Sequence, residues 1–364
     1  MASRKEPPYT HGQAAKTGIV LCNLGTPEAP TAPALRKYLA QFLGDSRVVE
    51  IPRPLWLLIL HGVILRVRPK KSAAKYATIW TPEGSPLKVW TEKQATLLRG
   101  YLGERGHTAV EVRYAMRYGE PSVARQLDEL KAAGCTRILI VPAYPQYSAT
   151  TTASVFDAVY QWAADIRTIP EFRFINHYHD HPGYIDALKA SVHKHWMAHG
   201  RPDKLVMSFH GVPERTLHLG DTYHCECHKT GRLLAEALGL KKEEYVVTFQ
   251  SRFGKAKWLE PYTEPTLIKL GQEGVKRADV ICPGFSSDCI ETLEEIDQEV
   301  REAFLHAGGE SFHYIPCLND SAPWMSALTD LCEQHMQGWP TRAAPDAAAS
   351  QAARERALAL GATV

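Results

Sequence analysis

Two stretches of this chain, Arg137-Ile-Leu-Ile-Val-Pro142 and Ala278-Asp-Val-Ile-Cys-Pro283, decide its fold class. Both are short, largely apolar runs, as expected of parallel strands that helices cover on both faces. Six further runs of this kind alternate with amphipathic stretches that have helical spacing. These runs are residues 18–25, 110–116, 171–178, 204–211, 244–251 and 311–319. The alternation predicts βαβ units and therefore an α/β fold with parallel sheets flanked by helices.

The length of the chain indicates two halves. Its 364 residues exceed the usual domain size of about 100–200 residues. Because Pro170 interrupts the pattern, we place the crossing point between the halves near residues 166–172 and predict halves over 17–168 and 169–318. The tail over 340–364, rich in alanine, is predicted as a loosely attached helix or a disordered end.

Composition and charge exclude several classes of protein. Hydrophobic residues make up 45% of the chain, which excludes disordered and collagen-like proteins. The net charge of +2 gives no broad positive field, so nucleic acid is not an expected partner. Nucleotide binding loses its main support because no Gly-x-Gly-x-x-Gly follows the first strand and no P-loop motif occurs.

The amino-terminal residues and the apolar runs bear on location. The first sixteen residues are polar and charged, so we expect a cytoplasmic protein with reduced cysteines and no disulfide framework. The longest apolar run, residues 54–65, is shorter than the roughly 20 residues that span a bilayer. Four basic residues, Arg66, Arg68, Lys70 and Lys71, follow it. The run is therefore either a buried helix with a solvated basic end, or a surface for an anionic membrane or an apolar, acidic ligand.

Candidate chemistry follows the predicted strands, because open α/β sheets bind ligands beyond their strands' carboxyl ends. His210 ends one run, where an imidazole can act as a base or metal ligand, although a lone histidine is more often structural. Glu291, Glu295 and Glu299 follow another run at i, i+4, i+8 and form a column of carboxylates about 6 Å apart. Such a column is either a solvated acidic face or a path for protons or a hard divalent cation.

Two other segments carry weaker signals. His224-Cys-Glu-Cys-His228 offers thiols and imidazoles that suit zinc, iron or copper, but no second cysteine pair lies nearby. An exposed loop is therefore the simpler interpretation. The aromatic residues within 144–147 and 253–258 are compatible with packing and with stacking on a flat ligand.

Seven short motifs follow one another along the chain. They are Leu21-Cys-Asn-Leu-Gly-Thr-Pro27, Glu83-Gly-Ser-Pro-Leu87, Met116-Arg-Tyr118, Tyr144-Pro-Gln-Tyr-Ser148, Ser208-Phe-His-Gly211, Gln250-Ser-Arg-Phe-Gly254 and Cys289-Ile-Glu-Thr-Leu-Glu-Glu-Ile296. Their order is similar to that in ferrochelatases, which insert ferrous iron into protoporphyrin IX in the last step of haem synthesis. The chain from about Gly18 to Leu331 thus resembles this family in its bacterial form. The resemblance implies two Rossmann-like halves around a porphyrin cleft, an apolar lip within residues 47–80, and a helix over 319–339 that returns to the first half.

The same resemblance assigns roles to individual residues. It makes His210 and Glu291 the facing catalytic groups and candidate metal ligands, with Glu295 and Glu299 continuing the acidic column along a helix that contains a π-bulge. Porphyrin contacts are implied for Ser85, Arg117, Tyr118, Tyr144, Tyr147, Trp258, Leu55 and Leu58. Which of His210 and Glu291 takes the proton and which the metal stays open, because imidazole and carboxylate do both.

The resemblance also implies the substrates and cofactors. Fe²⁺ and protoporphyrin IX are substrates, coproporphyrin stays open, and no cofactor is expected to be bound permanently. Family members with a [2Fe-2S] cluster draw one thiolate from the position of Ala149 and others from a C-terminal cysteine group. Because this chain has only Cys317 and Cys332 there, we expect no cluster. Some members also have a histidine at the position of Cys289.

Alternatives to this function stay open. A binding protein for haem or a metal chelate would have the same two-lobed architecture without turnover, and a cobalt or nickel chelatase would share the fold and a histidine. Apart from its substrates, the expected partner is the inner face of a membrane, through peripheral contact of residues 55–65. Nothing in the sequence indicates an oligomeric state.

Overall fold

The computed structural model describes residues 6–254, 256–342 and 347–363, and these contain two four-stranded parallel sheets. The first sheet has the order β2-β1-β3-β4 and the second the order β6-β5-β7-β8. The strands are β1 (Lys16–Gly25), β2 (Val110–Tyr118), β3 (Cys135–Pro142), β4 (Glu171–Phe174), β5 (Lys204–His210), β6 (Tyr245–Gln250), β7 (Arg277–Ile281) and β8 (Ser311–Ile315). The predicted α/β class with two Rossmann-like halves is confirmed.

Helices flank both sheets. The α-helices of the described residues are α1 (Ala32–Phe42), α2 (Arg53–Ile59), α3 (Leu65–Ile79), α4 (Pro86–Glu104), α5 (Val123–Ala132), α6 (Ser154–Ala164), α7 (Pro182–His199), α8 (Arg215–His218), α9 (Tyr223–Leu238), α10 (Thr263–Gln272), α11 (Arg301–His306), α12 (Ala322–His335) and α13 (Ala347–Ala359). Three segments are π-helical, Leu60–Ile64, Ala149–Ala153 and Glu291–Val300, and Lys242–Glu244 is a 3₁₀ turn. Local signals fix several ends; the Ser122 side chain, for example, caps α5 by accepting from the backbone N–H of Arg125.

The boundary between the halves differs from the prediction. Strand β4 pairs in parallel with residues 137–140 of β3, so it belongs to the first sheet and the first half extends beyond residue 168. Pro170 suggested a break, but a proline that immediately precedes an edge strand removes no ladder hydrogen bond within it. The chain therefore crosses between the halves after β4.

The carboxyl-terminal segments connect the halves. Helix α12 packs against α7 and against α4 of the first half, in the place expected for the returning helix. Beyond it, α13 has no buried residue, so the tail holds a loosely attached helix rather than a disordered end over 347–359. Residues 343–346 and 364 of the predicted tail, and residues 1–5 of the amino-terminal segment, lie outside the described residues.

One apolar core continues from the first half into the second. Leu21 of β1, Phe209 of β5 and Trp324 of α12 belong to it and are almost fully buried. Burying an apolar side chain of this size stabilises the fold by about 1.5–3 kcal/mol. The shared core therefore holds the two sheets as one body.

Two glycines permit close approaches at the ends of the central strands. Gly25 ends β1 with φ of +116°, and a Cβ there would lie 1.8 Å from the carbonyl oxygen of Tyr118. A Cβ on Gly211, directly after β5, would lie 2.8 Å from the carbonyl oxygen of Gln250 and 3.2 Å from the Trp258 ring. Larger residues would therefore push apart the segments that surround the carboxyl ends of β1 and β5.

Candidate active site

A cavity opens where the carboxyl ends of the two sheets face each other, and its empty space, with the part open to solvent, is about 1030 Å³. Its lining from the first half includes Asn23, Leu24, Phe42, Val48, Leu87 and Tyr144, and from the second half His210, Val212, Phe253, Trp258, Cys289 and Glu291. A largely apolar lining with a few convergent polar groups is typical of sites for small organic ligands. Of the residues predicted for the site, His210, Glu291, Tyr144 and Trp258 line this cavity.

His210 is the last residue of β5, and its position follows from the strand that delivers it. Its Nδ1 lies 2.6 Å from the carbonyl oxygen of Gly211. Because a carbonyl can only accept, Nδ1 carries the hydrogen, and Nε2 is left with a lone pair in the neutral imidazole. His210 can therefore accept a proton or bind a metal ion through Nε2.

Glu291 is the first residue of the ten-residue π-helix Glu291–Val300. It lines the main cavity and also a smaller hollow beside Tyr38, Tyr76 and Ser85. Behind it, Gln250 Nε2 donates to the Glu291 carbonyl oxygen at 2.7 Å and so fixes the start of the helix. The predicted π-bulge is thus an extended π-helix, whose wider turns are a feature often found at functional sites.

Glu295 lies one turn further along and is held by the segment after β6. The backbone N–H of Ser251 donates to Glu295 Oε1 at 2.7 Å, and the Ser251 hydroxyl donates to Oε2. Ser251 has φ of +64°, an uncommon value for a residue with a side chain, and this conformation accompanies the N–H contact with the carboxylate. Burial raises the pKa of Glu295 above its ordinary value of 4.5, against the effect of the Ser251 hydrogen bond and the nearby His210.

The outer end of the column meets the first half. Glu299 is exposed, and its carboxylate pairs with Lys75 of α3 at 2.7 Å. The same ammonium lies 2.9 Å from Glu294, a buried carboxylate on the neighbouring face of the π-helix. Burial raises the pKa of Glu294, although Lys75 opposes this. The column thus runs from the cavity at Glu291 to a solvent-exposed ion pair.

Arg117 and Tyr118 are not among the described residues that line the cavity, although the resemblance implied that both contact the porphyrin. Arg117 donates to Asp45 Oδ2 at 2.7 Å and to the Ser154 hydroxyl at 2.7 Å, while the Tyr118 hydroxyl donates to Asp45 at 2.8 Å. Burial alone would raise the pKa of Asp45, but hydrogen bonds from Ser154, the Arg47 backbone and Tyr118, with the Arg117 charge, hold it below 3.8. These residues support the wall from behind, since the Tyr118 ring contacts Phe42 at 5.3 Å.

Four other residues predicted to contact the porphyrin fall into two groups, those that line the cavity and those that do not. Tyr144 and Trp258 face the cavity, and the buried Tyr144 hydroxyl and Trp258 Nε1 have no hydrogen-bond partner among the described residues. Ser85 is buried beside the smaller hollow and accepts from Thr26 at 2.7 Å. Tyr147 is absent from the described lining, and its backbone N–H donates to Glu226. Two of these four residues are therefore in place to contact a ligand in the cavity.

Most of the predicted lip over residues 47–80 lies outside the cavity lining, to which it contributes Val48. Leu55 and Leu58 of α2 are 54% and 74% exposed, and Val63 and Val67 are 56% and 60% exposed. These side chains form an apolar surface next to the basic residues of α3, so the interpretation as an ordinary buried helix is wrong for this face. No helix in the described ranges has the length and apolar character needed to cross a membrane.

The cysteine-rich segment is helical, contrary to the expected loop. Residues 224–228 form the first turns of α9, with Cys225 exposed and Cys227 buried. The His224 and His228 ring centroids lie 4.5 Å apart with their planes tilted by 56°, and both rings pack against Phe249. The two cysteines face different environments, so the segment does not present its thiols together.

The sequence did not identify the hydrogen-bond and ion-pair partners that hold the predicted site residues in place. Asp45, Ser154 and Lys75 lie far along the chain from their partners, so no local pattern identifies them. Gln250 and Ser251 could have been found, because they end and follow β6 at the same sheet edge as His210, which pairs with Gln250 across the strands.

Comparisons with known proteins bear on the family and the fold of this chain. The family model described as Ferrochelatase matches residues 16–336. A ferrochelatase of Polaromonas sp. is 69% identical over 100% of this chain and 100% of its own length, and one of Methylibium petroleiphilum is 69% identical over 100% and 99%. SirB from Bacillus subtilis, solved with Fe³⁺, matches 88% of this chain and 96% of its own with a TM-score of 0.52; at 13% identity this shows the fold alone. The match over nearly the whole chain shows that the chain belongs to the ferrochelatase family.

Proposed function

We propose that this member of the ferrochelatase family inserts Fe²⁺ into protoporphyrin IX, with release of two protons, to give protohaem in the terminal step of haem synthesis. The observation that carries the proposal is the cavity, in which an imidazole and a carboxylate stand within an otherwise largely apolar lining. A porphyrin is flat, apolar and large, and it must lose two N–H protons as the metal arrives. Such a ligand needs this combination of an apolar site and a base.

His210 is the proposed acceptor of the pyrrole protons. Its Nδ1–H is engaged by the Gly211 carbonyl, so Nε2 is the nitrogen available to a bound macrocycle. Glu291 lines the same cavity, and an imidazole and a carboxylate together can also hold Fe²⁺ during insertion. A cavity that holds the macrocycle bent would expose the nitrogen lone pairs, which uses binding energy to approach the transition state.

The carboxylate column is proposed as a route for protons rather than for metal. Glu295 has a raised pKa, which suits a group that accepts and releases protons, and it lies between Glu291 and the solvent end of the column. At that end the Lys75 ammonium already pairs with both Glu299 and Glu294, and a cation there opposes the binding of a divalent metal. Protons released at His210 would then reach solvent by way of Glu291 and Glu295.

We propose further that the enzyme works without a [2Fe-2S] cluster. Position 149 is an alanine at the start of a π-helix. Cys317 is buried with its sulfur 3.3 Å from the Tyr314 hydroxyl, and Cys332 is buried within α12. Two separately packed thiols supply half the ligands of a four-cysteine cluster. Iron analysis of the purified protein, together with its visible spectrum, checks this expectation.

Peripheral membrane contact through the lip is the proposed route for an apolar substrate, in a protein otherwise located in the cytoplasm. The exposed Leu55 and Leu58 adjoin Arg66, Arg68 and Lys70, a pattern that favours anionic lipid surfaces. Leu58→Ser is expected to reduce co-sedimentation with phosphatidylglycerol vesicles by several-fold.

The matched control for the lip is Leu219→Ser, because Leu219 is 70% exposed but lies outside the lip. The control is expected to sediment like the unaltered protein. Equal sedimentation of both variants, or no sedimentation of the unaltered protein, would contradict the membrane contact.

The test of the function is an anaerobic assay with protoporphyrin IX and Fe²⁺, or Zn²⁺ as a surrogate. Loss of free-base fluorescence and growth of the metalloporphyrin absorption band measure insertion. We expect turnover by the unaltered protein and its loss in both His210→Ala and Glu291→Ala. Porphyrin binding without turnover would assign the protein to the carriers, and turnover with Co²⁺ or Ni²⁺ but not Fe²⁺ would assign it to another class of chelatase.

A further inference from the structure

Three histidines converge at the end of the second half that lies away from the cavity. His195 and His199 are one turn apart at the end of α7, and His313 lies on strand β8. One nitrogen from each ring lies within 4.8 Å of the others. Their ring centroids are 4.6, 5.2 and 4.9 Å apart. The helix and the edge strand thus present three imidazoles to one point.

The spacing of the nitrogens suits a tetrahedral metal ion. Two ligands at a Zn–N distance of about 2.0–2.1 Å are separated by roughly 3.3 Å at the tetrahedral angle. His313 Nδ1 and His195 Nε2 lie 3.2 Å apart. The His199 side chain has no hydrogen-bond partner among the described residues, so it can turn toward the same point. Small movements of His199 would complete a three-nitrogen site with an open fourth position.

The surroundings orient these rings and supply charge. The Ser311 hydroxyl lies 3.1 Å from His313 Nε2 and engages the nitrogen opposite the one that faces His195. Asp279, fully buried on β7, has Oδ2 3.5 Å from His195 Nε2. Arg277 pairs with Asp279, so the carboxylate charge is partly neutralised.

A second group of potential metal ligands differs from this cluster in its hydrogen bonding. His177, His179 and Glu226 are also close enough to share an ion. There the Glu226 oxygens already accept from the Tyr147 backbone at 2.7 Å, the Thr222 hydroxyl at 2.7 Å and His177 at 2.9 Å. Those hydrogen bonds satisfy the carboxylate without a metal, whereas in the three-histidine cluster two nitrogens face each other and can share only one proton.

We propose that His195, His199 and His313 bind a divalent transition-metal ion of the Zn²⁺ type, which ties the end of α7 to strand β8. The site is separate from the cavity, because His313 is opposite Asp279 in the sheet register while the cavity lies beyond the strands' carboxyl ends. None of the three histidines is among the described residues that line the cavity. The inference is independent of the proposed function.

The experiment measures Zn²⁺ binding to the full-length protein without porphyrin. The cavity also offers ligands, so the titration is carried out in a His210→Ala background against a competing chelating dye. We expect one equivalent of Zn²⁺ to bind, and we expect His199→Gln and His313→Gln each to weaken this binding at least about tenfold. Co²⁺ in place of Zn²⁺ should give the visible absorption of a tetrahedral site, and Zn²⁺ should raise the Tm.

The matched control is His193→Gln, which removes another imidazole of α7 that lies outside the cluster. It should bind Zn²⁺ as tightly as the background protein. His199 is exposed, so its variant keeps the test informative if His313→Gln fails to fold. Zn²⁺ binding that survives both cluster substitutions, equal loss in the control, or no bound equivalent in the His210→Ala background would overturn the proposal.

Discussion

The two halves share one strand topology but contribute differently to the cavity. Among the described lining residues, the first half supplies apolar and uncharged polar side chains such as Phe42 and Val48, whereas His210 and Glu291 both come from the second half. The first half has its own charges nearby, Arg117 and Asp45, but they neutralise each other behind the wall. The first half therefore shapes the site, while the second half carries the acid–base groups.

Removing the charge of Asp45 is the strongest test of the structural role of the first half's charges. The Asp45 and Arg117 side chains are 8% and 18% exposed, so Asp45→Asn leaves a largely buried guanidinium without its counter-charge. We expect the free energy of unfolding to fall by about 2–4 kcal/mol, because breaking a buried pair from one side exposes the cost of the remaining charge. Urea denaturation followed by circular dichroism measures this change.

The control for this pair is Asp157→Asn, which breaks the more exposed Arg47–Asp157 pair of the same half. Exposed pairs contribute about 0–1 kcal/mol, so the control should be nearly neutral. Equal losses in the two variants would mean that the Asp45 network is not the main support of the wall.

The contact between the halves at Lys75 is the second test. Lys75→Met leaves the buried Glu294 without its cation, and we expect a loss of about 1–2 kcal/mol in the free energy of unfolding, moderated because Lys75 is itself 47% exposed. Lys71→Met, on the exposed face of the same helix, is the control and should change stability little. Chemical denaturation of both variants decides the point, and a neutral Lys75→Met would show that Glu294 needs no partner from the first half.

The raised pKa of Glu295 is expected to have the smallest effect on the free energy of unfolding, and this effect depends on pH. The fold raises the pKa of this carboxyl above 4.5, so the folded state holds more protons than the unfolded state from about that pH upward, and stability falls as the pH rises through the raised pKa. Glu295→Gln removes this loss. The unfolding free energy of the variant minus that of the unaltered protein should therefore increase between pH 4.5 and pH 8.

The control for the pH series is Glu302→Gln, on the exposed surface of α11. Denaturation curves at matched pH values give both differences. The same pH slope in the two variants, or a slope of opposite sign for Glu295→Gln, would argue against a buried, proton-favouring Glu295.

The sequence predicted what depends on local pattern and chain direction. Apolar runs located all eight strands that the described residues form, and His210 followed from its place at a strand end. The partners of Arg117 were out of reach because Asp45 is 72 residues away and its role depends on a tertiary contact. The family resemblance implied a porphyrin contact for Arg117, whereas the fold pairs its charge with Asp45 behind the wall. Pro170 misplaced the boundary, because a proline before an edge strand resembles a break between domains.

The most direct test of the different roles of the two halves measures protoporphyrin affinity and insertion rate separately. Fluorescence quenching gives the affinity, and single-turnover metallation gives the rate. His210→Ala should lose insertion by at least about a hundredfold while its porphyrin Kd changes little. Phe42→Ala should weaken porphyrin binding about tenfold or more while bound porphyrin is still metallated. Near-normal insertion by His210→Ala, or loss of porphyrin binding in that variant with no loss in Phe42→Ala, would contradict the account.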